Sequence, residues 1–217
     1  LPWLLAMCAP VALNLHAEEL EKVELQGRAV LGSAESASQG EVGAERLATK
    51  PLLRPAELLE AMPGMIVTQH SGEGKANQYF LRGFNLDHGT DFRISVDGML
   101  VNQRSHGHGQ GWADTNFLIP ELVASAQYLK GPYYAGQGDF ASAGAVNLGY
   151  IDKLPKGMAS YGIGEQGFMR GLVVKSHDAG SGTLLYALEL LTKDGPWVKH
   201  EEFKKFNAVL RYSQRSE

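Results

Sequence analysis

The sequence contains little of what marks several common protein classes. Its 217 residues include one cysteine, so an internal disulfide framework is excluded. Lys and Arg number 20 against 24 Asp and Glu, a mildly acidic balance that argues against a nucleic-acid partner, because nucleic-acid-binding domains are usually basic. Bulky side chains are almost absent between Gln26 and Lys50, where Gly, Ala, Ser and Glu dominate. We therefore expect a flexible linker there, with order beginning at Pro51.

An uncharged apolar run occupies residues 1–15 and is followed by the acidic pair Glu18-Glu19. A spanning helix needs about 20 apolar residues, whereas the apolar region of a secretory signal needs about 7 to 15. Residues 1–17 are therefore predicted to be the remnant of a signal peptide, which implies export to the envelope of a two-membrane bacterium. Because a strand-like pattern continues through residues 204–217, we expect a piece of a longer protein.

Glycine is frequent, at 26 residues, and much of it separates short β-like runs, which indicates turn-rich β-structure. A short helix is predicted from Pro55 to Glu60, because proline suits the first helical turn and Pro63-Gly64 ends the pattern. Asp97-Gly98 between two apolar runs predicts a tight hairpin. Further strands are predicted at residues 65–68, 78–81, 126–129 and 145–148, with a short helix near residues 119–123. Residues 51–155 thus read as an α+β domain with small sheets and long loops.

The pattern changes after Lys156 to strand-length segments with polarity alternating along the chain. These segments lie at residues 158–163, 168–175, 183–193 and 204–213. About ten residues with one apolar and one polar face are what a tilted membrane β-strand needs, with lipid outside and water inside. A soluble antiparallel sheet with one face on a core has the same periodicity, so alternation alone leaves both interpretations open.

Five short motifs follow one another within about a hundred residues. They are Glu57-Leu58-Leu59-Glu60-Ala61-Met62-Pro63-Gly64-Met65, Leu81-Arg82-Gly83-Phe84, Val96-Asp97-Gly98, Tyr128-Leu129-Lys130-Gly131-Pro132 and Ser142-Ala143-Gly144-Ala145-Val146-Asn147-Leu148. In this order they resemble the plug domain of a TonB-dependent outer-membrane receptor. The resemblance implies an α+β plug domain, with a small mixed sheet and short helices, followed by the first antiparallel strands of a transmembrane β-barrel of about 22 strands. The implied division is 1–17 signal remnant, 18–50 TonB box and linker, 51–155 plug, and 156–217 start of the barrel.

The resemblance implies an uptake receptor in the outer membrane of a Gram-negative bacterium. Such a receptor takes a scarce solute, an iron–siderophore or another metal complex, into the periplasm with energy delivered by TonB. The implied partners are TonB with the inner-membrane energising complex, outer-membrane lipid and a small-molecule ligand. Neither enzyme activity nor a cofactor is implied. A secreted or periplasmic β-rich binding module is the alternative, and a metal-dependent hydrolase is a further one.

Two basic residues, Arg82 and Lys130, occupy positions at which plugs of this family carry cations that pair with carboxylates on the inner wall of the barrel. A buried charge persists only with a partner, which agrees with this implied role. The alternative is that both are surface residues beside turns. An extended, alternating segment after the signal can add to the edge of a partner's sheet, as a TonB box does. The candidate box is Glu21, Lys22, Val23, Glu24 and Leu25; the alternative is that these residues are an arbitrary stretch of linker.

Polar residues and glycines fill the segment from Asn102 to Asp114. His106 and His108 stand two apart among glycines, so their imidazoles can converge, and with a carboxylate they suit zinc or copper. The spacing is similar to the His-x-His-x-Asp-His motif of metallo-β-lactamase-like hydrolases, but Gln110-Gly111 occupies the Asp and His positions. We predict an apical loop facing the ligand, with His106 and His108 as candidate metal ligands; the alternative is polar residues bound to their own backbone or to water. The predicted ligand-binding residues are His88, Arg104, His106, His108, Gln110, Trp112 and Asp114.

Overall fold

The structure, a computed structural model, describes residues 33–50, 54–69 and 72–214. The predicted signal remnant and the predicted TonB box lie outside these residues. The described strands are β1 (Ser33–Ser36), β2 (Gln39–Gly43), β3 (Met65–Thr68), β4 (Gln78–Leu81), β5 (Phe84–Asn85), β6 (Phe92–Val96), β7 (Met99–Leu100), β8 (Val123–Lys130), β9 (Gly144–Tyr150), β10 (Met158–Ile163), β11 (Met169–Ala179), β12 (Gly182–Lys193) and β13 (Phe203–Ser213). The helices are α1 (Ala44–Ala48) and 3-10 turns at Pro55–Ala61, Pro120–Leu122 and Ala135–Gln137. No helix among the described residues is long and apolar enough to cross a bilayer.

A six-stranded central sheet forms the middle of the molecule, in the order β1-β2-β8-β9-β6-β7. β6 and β9 run parallel, and the other pairs are antiparallel, so the sheet is mixed. Apolar side chains from β6 and β9, among them Ile94 and Leu148, are fully buried. A second, small sheet of β3, β4 and β5 packs into the same core through Met65 and Tyr79.

The expectation of a flexible linker up to Lys50 is wrong for residues 33–50. β2 pairs with the edge of β8, from Gln39 opposite Leu129 to Gly43 opposite Ser125. Because a sheet edge is extended by backbone hydrogen bonds, this pairing needs few bulky side chains. Val42 and Leu47 supply the apolar burial, at 2% and 3% exposure. The plug-like domain therefore begins before Pro51.

The short helix predicted after Pro55 is a 3-10 helix over Pro55–Ala61. Glu57 fixes its start, because its carboxylate accepts hydrogen bonds from the backbone N–H and the guanidinium of Arg54. The helix ends at Met62, whose backbone is extended, and β3 follows at Met65. These turns place the small sheet beside the central one.

The last four strands form a separate antiparallel sheet, the terminal sheet, in the order β10-β11-β12-β13. Its inner face carries Leu172, Val174, Leu185 and Ala187, which are buried in one cluster with Ile119 and Leu122 of the preceding domain. The outer face leaves large apolar side chains exposed. These are Tyr161, Ile163, Met169, Val173, Tyr186, Leu188, Leu190, Phe206, Leu210 and Tyr212. The alternation seen in the sequence therefore separates an inner face packed on the domain from an outer apolar face.

Gly144 is the residue at which the central sheet tolerates no side chain. It pairs with Phe92 of β6 on one side and with Lys130 of β8 on the other, and its φ is +153°. A Cβ atom there would overlap the carbonyl oxygen of Leu129 and lie 3.3 Å from Cα of Lys130.

We predict that Gly144→Ala lowers the free energy of unfolding by more than about 2 kcal/mol, because backbone atoms must move to admit the methyl group. Denaturant unfolding of the purified protein, followed by tyrosine and tryptophan fluorescence, measures the change. Gly171→Ala is the matched control on β11, since a Cβ atom there meets nothing within 4 Å. Equal stability of the two variants would contradict the prediction.

Candidate functional site

Asn102 organises the loop that follows β7. Its side chain is 3% exposed, and its Nδ2 atom donates to the carbonyl oxygens of Gly89, Phe92 and Gly111 at 2.9 to 3.0 Å. Its Oδ1 atom accepts from the backbone N–H of Ile94 at 2.7 Å. One buried amide therefore ties both ends of the loop to the start of β6, since a buried polar side chain is stable only when hydrogen-bonded.

Backbone hydrogen bonds close the same loop and set it beside His88. The N–H of Gln103 donates to the carbonyl of Trp112 at 2.8 Å, and the N–H of Gly111 donates back to Gln103 at 2.8 Å. Ala113, which follows Trp112, donates its N–H to the carbonyl of His88 at 2.7 Å. Trp112 is thereby positioned above the buried imidazole of His88.

Four of the predicted ligand-binding residues form one aromatic group, which we call the histidine–tryptophan cluster: His88, His106, His108 and Trp112. The rings of His106 and Trp112 are stacked, with centroids 4.4 Å apart and planes 17° from parallel. The centroids of His88 and His108 lie 4.5 and 4.8 Å from that of Trp112, and 4.6 Å from each other. The structure thus brings the histidines together around the indole.

The other three predicted ligand-binding residues make different contacts. Arg104 forms an exposed ion pair with Asp139 at 2.8 Å. The side chain of Gln110 is exposed, while its backbone carbonyl accepts a hydrogen bond from Thr90. Asp114 accepts from the backbone N–H of Asn116 at 2.8 Å. For these residues the hydrogen bonds shape the loop or its ends, and any part in ligand recognition stays a prediction.

Arg170 of β11 joins the terminal sheet to the preceding domain. Its guanidinium binds both carboxylate oxygens of Glu121, at 2.5 and 2.8 Å, and its Nε donates to Glu189 at 2.6 Å. Glu189 is 1% exposed and also accepts from Lys205 at 3.2 Å and Asn207 at 2.9 Å. The buried carboxylate of Glu189 is thus fully paired, which is the condition under which a buried charge persists, while Glu121 at the rim of the junction is partly exposed.

Three further ion pairs, made by two basic residues, cross the same interface. Arg211 of β13 binds Asp97 in the hairpin turn and Asp152 in the connection to β10. Lys193 of β12 binds Glu73 at 2.5 Å. At each of these crossings the domain supplies the acid and the terminal sheet supplies the base. Sequence reasoning did not find these pairs.

Arg82 and Lys130, the predicted plug–barrel cations, lie near one another. Arg82 has a φ of +52° and donates to the carbonyl of Ala37 at 3.2 Å. Lys130 is 5% exposed, and its Nζ donates to the carbonyl of Pro63 at 3.2 Å. Burial, with a smaller contribution from the charge of Arg82, lowers the pKa of Lys130. Neither residue forms an ion pair with a carboxylate within the described part of the chain.

Comparison with known proteins agrees with this architecture. The family model described as the TonB-dependent receptor plug domain matches residues 31–145, more than half of the chain. The chain belongs to this family. The match begins close to β1, which agrees with a plug that includes β1, β2 and α1. The predicted fold class is confirmed: an α+β plug with a mixed sheet and few helices, followed by antiparallel strands as at the start of a receptor barrel.

Solved structures with a similar fold include receptors for ferric siderophores and a copper transporter. The ferric yersiniabactin uptake receptor FyuA from Yersinia pestis is 22% identical over 86% of this chain and 31% of its own, with a TM-score of 0.58. The ferric enterobactin receptor PfeA from Pseudomonas aeruginosa is 20% identical over 74% and 25%, with a TM-score of 0.56. The copper transporter OprC is 19% identical over 76% and 26%, with a TM-score of 0.55. The chain thus spans about a quarter to a third of the length of these structures, and identities this low establish the fold alone.

We predict that Asn102→Ala lowers the free energy of unfolding by about 3 kcal/mol, because it leaves several buried backbone groups without their partner. Thermal unfolding followed by near-UV circular dichroism measures the loss. The matched control is Gln103→Ala, the exposed neighbour in the same loop, with an expected change within about 0.5 kcal/mol. An Asn102→Ala protein as stable as this control would contradict the assigned role.

The junction at Glu121 generates a prediction about pH. Burial raises the pKa of this carboxyl, but the hydrogen bonds and charge of Arg170 outweigh burial and hold the pKa below its ordinary value of 4.5. A carboxyl with a lowered folded-state pKa contributes stability at neutral pH, and this is lost as pH falls below about 4.5 and through the folded-state value.

Wild type is therefore expected to lose more stability between pH 5 and pH 3 than Glu121→Gln, which has no carboxyl to protonate at that position. Thermal unfolding across this range measures the difference. Asp139→Asn, which removes the exposed partner of Arg104, is expected to follow the wild-type profile because exposed pairs contribute little. Parallel profiles for wild type and Glu121→Gln would contradict the prediction.

Proposed function

We propose that this chain is the plug and the first barrel strands of a TonB-dependent receptor in the outer membrane of a Gram-negative bacterium. The receptor takes up a scarce solute, an iron–siderophore or another metal complex, and TonB supplies the energy. The observation that supports this most directly is the terminal sheet, which turns paired charges toward the plug and large apolar side chains away from it.

The two faces of the terminal sheet suit the wall of a barrel around a plug. Exposed Leu188, Leu190 and Phe206 form a continuous apolar outer face, which is unfavourable in water and favourable against lipid. The inner face packs on the plug through a buried apolar cluster that includes Leu172 and Leu185, and it binds the plug through Arg170 and Arg211. A soluble sheet that covers a core differs in its outer face, which is polar.

Polar contacts between plug and wall are suited to a plug that must move during transport. Ion pairs can exchange for water when they separate, whereas the apolar cluster of the same interface, which includes Ile119 and Leu172, would expose hydrocarbon. The proposed TonB box, Glu21, Lys22, Val23, Glu24 and Leu25, would deliver the force by adding as a strand to the sheet of TonB. Ligand binding must favour release of the box for uptake to be coupled, because an effector acts only through differential affinity for two states.

The solute would bind at the apical loop, where the histidine–tryptophan cluster offers imidazoles and the half-buried indole of Trp112. His106 is half-buried and His108 is exposed, so both can be reached from solvent. Arg104, Gln110 and Asp114 lie on the same loop and would complete the recognition surface. The similar structures include receptors for ferric yersiniabactin and ferric enterobactin and a copper transporter, which supports a metal or a metal complex as the solute.

Arg82 and Lys130 would pair with carboxylates of barrel strands beyond those described. Their mutual repulsion, with the burial of Lys130, favours an anionic partner, because an uncompensated buried cation is costly. In this proposed pairing the plug supplies the cations and the wall supplies the carboxylates. At the observed junction the terminal sheet supplies the basic residues instead.

The proposed uptake is tested in cells that lack the gene and carry the full-length receptor on a plasmid. Val23→Pro in the box is expected to reduce uptake of the solute to the level of a strain without TonB, because proline removes a backbone donor that strand addition needs. Val30→Pro, the same change seven residues later, serves as the control and should retain uptake. Labelled ferric chelates, zinc and sugars identify the solute. Uptake that is unchanged by the loss of TonB would contradict the proposal.

A further inference from the structure

Asp87, which the sequence did not single out, lies against the histidine–tryptophan cluster. One side-chain oxygen of Asp87 and one ring nitrogen each of His88 and His108 all lie within 4.8 Å of one another. A carboxylate with two imidazoles is a ligand set that zinc and similar divalent transition metals accept. The group therefore differs from the pair predicted from spacing, His106 and His108.

Asp87 and His88 form the fixed half of this group. The carbonyl of Asp87 accepts from the N–H of Tyr79 at 2.9 Å, and its own N–H donates to the side chain of Asn85 at 2.8 Å. His88 is 3% exposed, and its Nδ1 contacts the carbonyl oxygen of Asn77 at 3.0 Å. Metal-binding histidines usually donate their second ring nitrogen to such a carbonyl, which fixes the tautomer and the orientation of the ring.

The spacing of the fixed half already suits a metal ion. Nε2 of His88 and Oδ1 of Asp87 are 3.5 Å apart. Two ligands on a tetrahedral zinc ion, with bonds of about 2.1 Å, are about 3.4 Å apart. These two residues therefore need almost no movement to share an ion.

His108 forms the adjustable half. It is exposed and stands between Gly107 and Gly109, where a Cβ atom would meet nothing within 4 Å. The segment can therefore move by the distance, at most about 1.4 Å, that separates the widest donor spacing of 4.8 Å from that of a bound ion. His106 takes another part, because its Nδ1 accepts from the N–H of His108 at 3.1 Å and its ring is stacked on Trp112.

We propose that Asp87, His88 and His108 bind a divalent transition-metal ion of the zinc class. A fourth position remains for water or for a donor atom of the compound that delivers the ion. That the ion is the transported solute rests on the proposed function, whereas the binding site itself does not.

Titration of the purified full-length receptor with Zn²⁺ alone, by isothermal calorimetry, tests the site. Asp87→Asn and His108→Ala are each expected to weaken binding at least about tenfold, since even loss of an outer-shell partner costs roughly ten- to a hundredfold. Both residues are exposed, and asparagine tolerates the positive φ of +51° at position 87, so both variants should fold. Unchanged near-UV circular dichroism checks this.

His200→Ala is the matched control, because His200 forms an exposed pair with Asp194 at 3.7 Å that offers the same two ligand types without a third. Its zinc affinity should equal that of wild type. Wild-type affinity in both Asp87→Asn and His108→Ala, absence of zinc binding by the wild-type receptor, or a loss confined to His106→Ala would each overturn the site. The calorimetry needs no TonB, so a failed site and a failed uptake proposal give different results.

Discussion

The arrangement of plug and terminal sheet depends on one constraint, which is that a charge taken out of water must keep a partner. Glu189 is almost completely buried on β12, and it is stable there because Arg170, Lys205 and Asn207 all donate to it. Arg170 in turn binds Glu121 of the plug. Since removal of one member leaves its neighbours buried and unpaired, the junction fixes how β11 and β12 lie against the plug more than it adds net stability.

Inside the plug, a second buried polar group, the side chain of Asn102, likewise fixes the arrangement of the segments around it. Asn102 fixes the base of the long apical loop, because its side chain is hydrogen-bonded to backbone groups before and after it in the chain. Above that base the loop keeps exposed glycines beside His108. The loop thus combines a rigid base with a segment that can adjust to a ligand, and only the short segment loses conformational entropy on binding.

Local patterns predicted the strands well and the contacts between them poorly. The alternation of polarity gave Met158–Ile163, Met65–Thr68 and Gln78–Leu81 with the bounds the structure has. It missed β2, because backbone pairing at a sheet edge leaves little trace in composition. The approach of Asp87 to His108 results from the fold of the loop onto β4 and β6, which residue spacing does not report. The acidic partners of Arg170 could not be predicted either, because alternation shows which face of a strand is polar and not which residues lie opposite that face.

The proposed metal site has a structural consequence because its two halves are held by different parts of the plug. Asp87 is tied to β4 of the small sheet through Tyr79, whereas the loop that carries His108 is tied to β6 of the central sheet through Asn102. A bound ion would therefore add a link between the two sheets to the hydrogen bonds that already join Ala113 to His88 and Tyr79. Any plug arrangement that separates β4 from β6 must then bind the ion more weakly, and by reciprocity the ion disfavours that arrangement. Asp97, at the far end of β6, binds Arg211, so the strand that supports the ion-binding loop also ends at the plug–wall interface.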